Sequence, residues 1–439
     1  MSDPKEQALR QAVLDAAAQY TEYAHAQKTF EAGQSSVPVS GKCLGSEEMR
    51  NLVDASLDLW LTTGRYNDAF ESAFAQKLQR KYSLTCNSGS SANLLAISAL
   101  CSPLLKGRRL KPGDEVITVA AGFPTTVAPI VQNGLIPVFV DVTAPTYNAV
   151  PEQVEKAVGP KTKAIFLAHT LGNPFDIAAV KAVADQHDLW FIEDSCDALG
   201  SSYILNGEEK PCGSFGHLAT FSFYPAHHIT MGEGGAVVCD DPLLWKIVLS
   251  MRDWGRDCWC APGCDDTCKS RYVRQYGQLP PGYDHKYVYS HLGYNLKLTD
   301  MQAAVGLAQL VKLDTFTEAR RRNFALLHAA LADLDGGPFI LPQPTAASKP
   351  SWFGFLLTLH PSYDRPSILQ KLNKKKIGTR LLFAGNMTHQ PCFEGVPHRI
   401  AAPLTGTDTI MNHTFWVGCY PGLDEEQMNY IAHAIRKVL

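Results

Sequence analysis

From about residue 85 to residue 240, short apolar runs alternate with stretches whose apolar positions recur at helical spacing. This alternation predicts a mostly parallel sheet covered by helices on both faces. Strands are expected over 114–119, 137–142, 163–168, 189–194, 218–223 and 235–239. Helices are expected over 92–104, 126–133, 151–158 and 177–187, each entered or closed by Gly, Pro, Asn or Asp. Ahead of the sheet, Leu9, Val13, Ala16, Ala17, Tyr20 and Ala24 repeat at helical spacing and predict an N-terminal helix within 1–30. Beyond a loop rich in Gly, Pro and Tyr at 277–295, Thr299 and Gln302 form a capping box for a long helix whose repeat runs to about Leu334. The remainder reads as a smaller α/β domain, with Lys374, Lys375 and Lys376 on a solvated face. The expected division is therefore an N-terminal helix at 1–30, a large domain at 31–315, and a linking helix with a small domain at 316–439.

Composition narrows the function. The 439 residues are 45% hydrophobic and 19% charged, which excludes disorder over the whole length and a disulfide-stapled miniprotein. With 40 Lys plus Arg against 43 Asp plus Glu, nothing draws the chain to a nucleic-acid backbone or an anionic membrane. The first 30 residues hold Lys5, Glu6, Arg10 and Asp15 and no unbroken apolar run, so neither a secretory signal nor a membrane span is expected. A cytoplasmic location follows, where thiols stay reduced and cysteines serve as ligands, nucleophiles or small core residues. Of the 12 cysteines, Cys258, Cys260, Cys264 and Cys268 crowd into one polar segment with Arg252, Asp253, Arg256 and Asp257.

Ligands of an open α/β sheet bind beyond the C-terminal strand ends, so the polar residues there carry the candidate chemistry. The segment Thr85-Cys-Asn-Ser-Gly-Ser-Ser-Ala92 offers backbone N–H groups and a helix N-terminus to a phosphate, although such a segment also serves as a plain helix cap. Phe123 could stack on a flat ring but, taken alone, reads first as core. Asp194 ends an apolar strand, where a carboxylate is costly without a partner. Ser222 and His227 lie in a strand followed by an irregular turn. The four clustered thiols suit either zinc or an iron–sulfur cluster. Cys196 favours the second, because two residues after Asp194 a redox-inert zinc has no evident task and an electron carrier has one.

In order and spacing these motifs resemble the nucleotide-sugar aminotransferase family, which has the fold-type I, aspartate aminotransferase-like architecture of pyridoxal-phosphate enzymes. The resemblance includes Gly-Asp-Glu-Val-Ile-Thr from Gly113, Ala-His-Thr-Leu-Gly-Asn-Pro from Ala168, Glu-Asp-Ser-Cys-Asp-Ala-Leu-Gly from Glu193 and Gly-Tyr-Asn-Leu-Lys from Gly293. It implies that Gly89, Ser90 and Ser222 hold the phosphate, Phe123 stacks on the pyridine and Asp194 pairs with its nitrogen. It further implies that Asn295 reaches the neighbouring subunit's phosphate in a homodimer.

Two departures from that pattern set the functional expectation. The family's cofactor-linking lysine lies five residues after the serine, and here that position is His227, with no lysine between Lys210 and Lys246. Histidine moves protons but makes no covalent link to the cofactor, so the amine form, pyridoxamine phosphate, is expected. The second departure is the cysteine set. A lysine-lacking group within the family, the iron–sulfur 3-dehydrases of CDP-4-keto-6-deoxyglucose, carries one distant cysteine followed by C-x-C-x7-C. Cys196, Cys258, Cys260 and Cys268 fit this pattern and leave Cys264 spare.

The resemblance then implies loss of the 3-hydroxyl from a nucleotide-linked 4-keto-6-deoxy sugar, with His227 as the base at the cofactor's C4′. Two electrons would arrive singly through a 2Fe–2S cluster from an NADH-fed flavin reductase. Tyr224 and Asp197 stand near the expected ring without assigned roles. The competing readings are a TDP-sugar 3-dehydratase needing no reductase, an aminotransferase or its inactive relic, and a non-enzymatic binding module with structural zinc.

Overall fold

The computed structural model describes residues 3–26 and 29–439, so residues 1, 2, 27 and 28 of the expected N-terminal segment lie outside the described residues. An eight-stranded sheet organises the molecule, in the spatial order Tyr82–Cys86, Gly235–Cys239, Leu218–Ser222, Trp190–Asp194, Thr162–Ala168, Glu115–Val119, Ile136–Val140, Arg399–Ile400. Only Gly235–Cys239 runs antiparallel to both its neighbours. The inner strands are buried on both faces, which is why they read as continuous apolar runs.

Six of the expected strands form, within one or two residues at their ends. The strand Tyr82–Cys86 was not expected. Its Ser83 and Thr85 make it look like an approach to the following helix, yet both are buried where it pairs with Gly235–Cys239. On one face the helices Gly89–Leu100 and Pro242–Arg252 share a core with Leu84, Phe166 and Ile192. On the other, Arg65–Lys77 and Asp300–Val311 pack Phe70 and Phe74 against Phe221 and Phe223.

The N-terminal helix spans Pro4–Ala24, but its apolar stripe is not its buried face. Leu9 and Tyr20 are 60% and 66% exposed, while Ala18 and Thr21 are buried toward the helix Ser46–Leu57. Arg10 fixes that seat by pairing with Asp54 at 2.6 Å and Asp58 at 2.7 Å, so charge outweighs periodicity in choosing the face. The long helix expected after Thr299 is two, Asp300–Val311 and Leu313–Leu331, which meet at Lys312. The first packs on Ser46–Leu57 and the second on Glu425–Val438, and a straight rod would not reach both.

The C-terminal part builds its own antiparallel four-stranded sheet, in the order Phe339–Ile340, Gly354–Leu359, Thr414–Gly418, Thr379–Arg380. Two of its segments leave that sheet. Arg399–Ile400 adds the eighth strand to the large sheet, and Ser348–Lys349 pairs with Ser202–Leu205. These attachments hold Phe353, Arg380 and Trp416 over the C-terminal strand ends, where the large cavity opens.

Candidate active site

A cavity of about 690 Å³ lies beyond those strand ends, and its walls include Gly89, Ser90, Phe123, Asp194, Ser222 and His227. Gly89 opens the helix Gly89–Leu100, whose N-cap Ser88 accepts from the Ser91 N–H at 3.1 Å. A Cβ on residue 89 would lie 2.4 Å from Ser222 Cβ and 3.1 Å from Cys196 Sγ, so only glycine lets the helix end approach the strand this closely. The first turn of such a helix offers N–H groups and a positive dipole end to an anion. Ser90 Oγ, hydrogen-bonded to Thr125 Oγ1 at 3.0 Å, and Ser222 flank it.

Successive strand residues point to opposite faces, which separates the two carboxylates of Glu193-Asp194. Glu193 is buried, 3.1 Å from His169 Nε2, and accepts the N–H groups of Gly213, Phe215 and Gly216 at 2.7–2.8 Å. Burial pushes its ionisation upward, and His169 with these donors holds it below the ordinary carboxylate range. It ties the strand to the 213–216 turn. Asp194, 4% exposed, instead borders the cavity. The Thr126 hydroxyl donates to its Oδ2 at 2.7 Å, Asn93 Nδ2 to the same oxygen at 2.9 Å, and the Cys196 N–H to Oδ1 at 3.2 Å. Phe123 is 50% exposed at the mouth, with the Phe383 ring perpendicular to it at 5.7 Å.

The turn after Leu218–Ser222 carries both histidines. His227 borders the cavity, its ring 5.3 Å from that of Phe353 and its Nδ1 3.3 Å from Asp197 Oδ1. His228 faces the other way. It is buried with Nε2 2.7 Å from the Ser351 carbonyl, and burial pushes its protonation far below the usual imidazole range. None of the described residues lining the cavity is a lysine. Asn295 lies outside this cavity, paired with Asp253 through backbone, while its Oδ1 accepts from Lys297 at 2.9 Å.

The polar loop after Arg252 brings the Cys258, Cys260 and Cys268 sulfurs within 4.8 Å of one another. Burial raises the Cys258 thiol. Cys260 is partly buried too, but hydrogen bonds from Thr267 and the Cys268 N–H hold it below the ordinary thiol range. Cys264 borders the same hollow and is exposed. Cys196 does not join this group. The strand Trp190–Asp194 delivers it directly into the cavity wall beside Gly89, and burial with the Asp194 charge raises its thiol well above the usual value. His285, which the sequence reading passed over, sits 3.5 Å from Cys268 Sγ through Nδ1 and 2.6 Å from Asp257 Oδ2 through Nε2.

Sequence reasoning also missed Asn93, Thr126, Phe353, Arg380 and Trp416. Asn93 carries a signal, as a lone amide within the apolar helix Gly89–Leu100. The last three come from the C-terminal part, and no local pattern announces their reach.

Residues 42–436 match the model of the DegT/DnrJ/EryC1/StrS aminotransferase family. Over 426 residues the chain is 56% identical to the lipopolysaccharide biosynthesis protein RfbH of Salmonella typhimurium, covering 96% of each. It is 50% identical over 409 residues to a dTDP-4-dehydro-2,6-dideoxy-D-glucose 3-dehydratase of Saccharopolyspora spinosa, covering 93% of this chain and 87% of the relative. Its fold matches that of E. coli GDP-4-keto-6-deoxy-D-mannose-3-dehydratase with bound hydrated PLP at a TM-score of 0.80 and 27% identity, covering 91% of this chain and 99% of that one. The expected aspartate aminotransferase-like α/β fold is therefore present, and the chain belongs to the DegT/DnrJ/EryC1/StrS aminotransferase family.

Proposed function

We propose that this chain is a nucleotide-sugar 3-dehydrase that removes the 3-hydroxyl of a nucleotide-linked 4-keto-6-deoxyhexose, with CDP-4-keto-6-deoxy-D-glucose as the favoured substrate. The observation that carries the reading is His227 at the position of the family's lysine, facing a cavity that also holds Asp194 and Phe123. The residues fit pyridoxamine phosphate: a helix N-terminus with no room for a Cβ at 89, a half-exposed aromatic ring at the mouth, and a nearly buried carboxylate. Bound there, the cofactor supplies an amine for the 4-keto carbon and a ring that withdraws electrons. Gly89, Ser90 and Ser222 hold the phosphate, Phe123 stacks on the ring, and Asp194 keeps its nitrogen protonated. His227 takes a proton from C4′. Asn295, outside its own cavity, serves the neighbouring subunit's phosphate in a homodimer.

The converging thiols support a dehydrase that needs a reductant over one that needs none. Cys258, Cys260 and Cys268 hold three positions of a 2Fe–2S cluster, which passes single electrons from an NADH-dependent flavin reductase and gives a 3,6-dideoxy-4-keto product. The fourth ligand proposed from the sequence pattern is Cys196. Anaerobic protein should be brown and hold iron and sulfide in equal amounts. With CDP-4-keto-6-deoxyglucose, product NMR should show the 3-deoxy sugar only when reductase and NADH are present. A 3-deoxy product without reductase, or an amino sugar with an amine donor, would overturn this reading. The S. spinosa relative's name favours dTDP as the second choice of nucleotide, and competition between CDP- and dTDP-linked substrates decides it.

A further inference from the structure

Any base at C4′ needs an unprotonated nitrogen facing the cavity, and a neutral imidazole offers this on only one of its two nitrogens. Which nitrogen carries the proton is set by what the other one meets. His227 Nδ1 faces the Asp197 carboxylate at 3.3 Å, with the two side chains 16% and 13% exposed. The remaining contacts fix the ring's place without choosing its tautomer. Phe353 packs its tilted ring against the imidazole at 5.3 Å, and the buried Arg320 guanidinium donates to the His227 backbone carbonyl at 3.3 Å, fixing the turn without touching the ring. Among the described residues, no other side chain forms an ion pair or hydrogen bond with the Asp197 carboxylate, and Asp197 follows Cys196 in the turn that leaves the Asp194 strand.

We infer that Asp197 is the positioning residue of the base: it accepts the Nδ1 proton of His227 and so leaves the Nε2 lone pair toward the cavity. At 3.3 Å the contact is an ion-pair distance and His227 Nδ1 makes no hydrogen bond in this structure; catalytic contacts are often this loose before substrate tightens them. The arrangement follows the physical logic by which a buried carboxylate fixes the tautomer of a catalytic histidine elsewhere. Asp197 also borders the cavity, and in this role it acts through His227. The inference rests on His227 being the base.

Two measurements test it. Nitrogen-15 NMR of histidine-labelled wild-type protein, needing neither cofactor nor substrate, should show neutral His227 protonated at Nδ1; protonation at Nε2 overturns the proposal. Deuterium exchange at C4′, followed with pyridoxamine phosphate and CDP-4-keto-6-deoxyglucose without reductase, supplies the second. Asp197→Ala should slow exchange at least tenfold at unchanged cofactor affinity, short of the roughly 100-fold to 10,000-fold loss for removing a general base. The Asp197→Ala, His227→Asn double variant should lose no more than His227→Asn alone, because the two act as a unit. Asp197→Asn, which keeps the volume, serves if the alanine variant fails to fold and should also slow exchange. Full exchange in a folded position-197 variant, or additive losses in the double variant, overturns the positioning role and leaves His227 as base. Full exchange in His227→Asn instead removes the base assignment, and this inference with it.

Discussion

His227 and His228 are neighbours with opposite surroundings. The first borders the cavity, while the second is buried against the Ser351 carbonyl. His227→Asn should retain cofactor and thiol chemistry and lose C4′ exchange by roughly 100-fold to 10,000-fold, whereas His228→Asn should lose far less. His227→Lys should permit a covalent link to pyridoxal phosphate, read as a new absorbance band and borohydride fixation that the wild-type site does not give. Glu193 makes a separate case in stability. Its folded ionisation lies below the ordinary carboxylate value, so its contribution is complete above about pH 4.3 and is lost as pH falls through the lower folded value. Glu193→Gln should therefore melt lower than wild type near neutrality, with the gap closing in acid; calorimetry from pH 3 to 7 measures it. His227 and Asp194 were readable because the family spacing and an acid closing an apolar strand are local signals. The opposite roles of Glu193 and Asp194 became readable only once the strand alternation was fixed to a particular sheet.

The Cys258–Cys268 loop is the element whose crowding of thiols is plainest in the sequence. The family resemblance supplied the C-x-C-x7-C pattern, and the structure brings those three sulfurs within 4.8 Å. It gives Cys196 to the cavity wall and places His285, held by Asp257, beside Cys268. No spacing rule reaches 17 residues past the last cysteine to find a histidine. Replacing Cys258, Cys260 or Cys268 by Ser should abolish iron binding, and Cys264→Ser should leave it intact. Cys196→Ser should also abolish it; a bound cluster with an altered spectrum in His285→Ala and an unchanged one in Cys196→Ser would move the fourth ligand to His285. Iron content and electron paramagnetic resonance of the reduced protein read both. Other elements follow the same division. Buried strands were legible from their apolar runs, while the Tyr82–Cys86 strand and the break at Lys312 arise from pairing and packing that a linear pattern does not contain.

At the scale of the molecule, the candidate site depends on how the C-terminal part sits on the large sheet. Its attachments are not in the sequence pattern, because the pairings of Arg399–Ile400 and Ser348–Lys349 join residues more than a hundred positions apart. No described helix is long and apolar enough to cross a membrane. One buried side chain links the pieces: Arg320, on the helix Leu313–Leu331, donates to the carbonyls of Trp352 at 3.1 Å, Phe353 at 3.4 Å and His227 at 3.3 Å. It thus holds together the helix Leu313–Leu331, the residue packed on the imidazole, and the turn that carries His227. Burial disfavours its charge, which only these carbonyl dipoles and distant anionic groups offset. Removing it leaves buried carbonyls unpaired, each costing about 1–3 kcal/mol. Arg320→Met should therefore lower stability by several kcal/mol, to be measured by urea unfolding. Arg320→Lys should recover little, since a single ammonium cannot reach three carbonyls spread across a planar fork. If the C-terminal part is seated by this contact, C4′ exchange should fall with it even where the variant remains folded. A stable Arg320→Met protein with wild-type exchange would show that the two sheet attachments alone position the site.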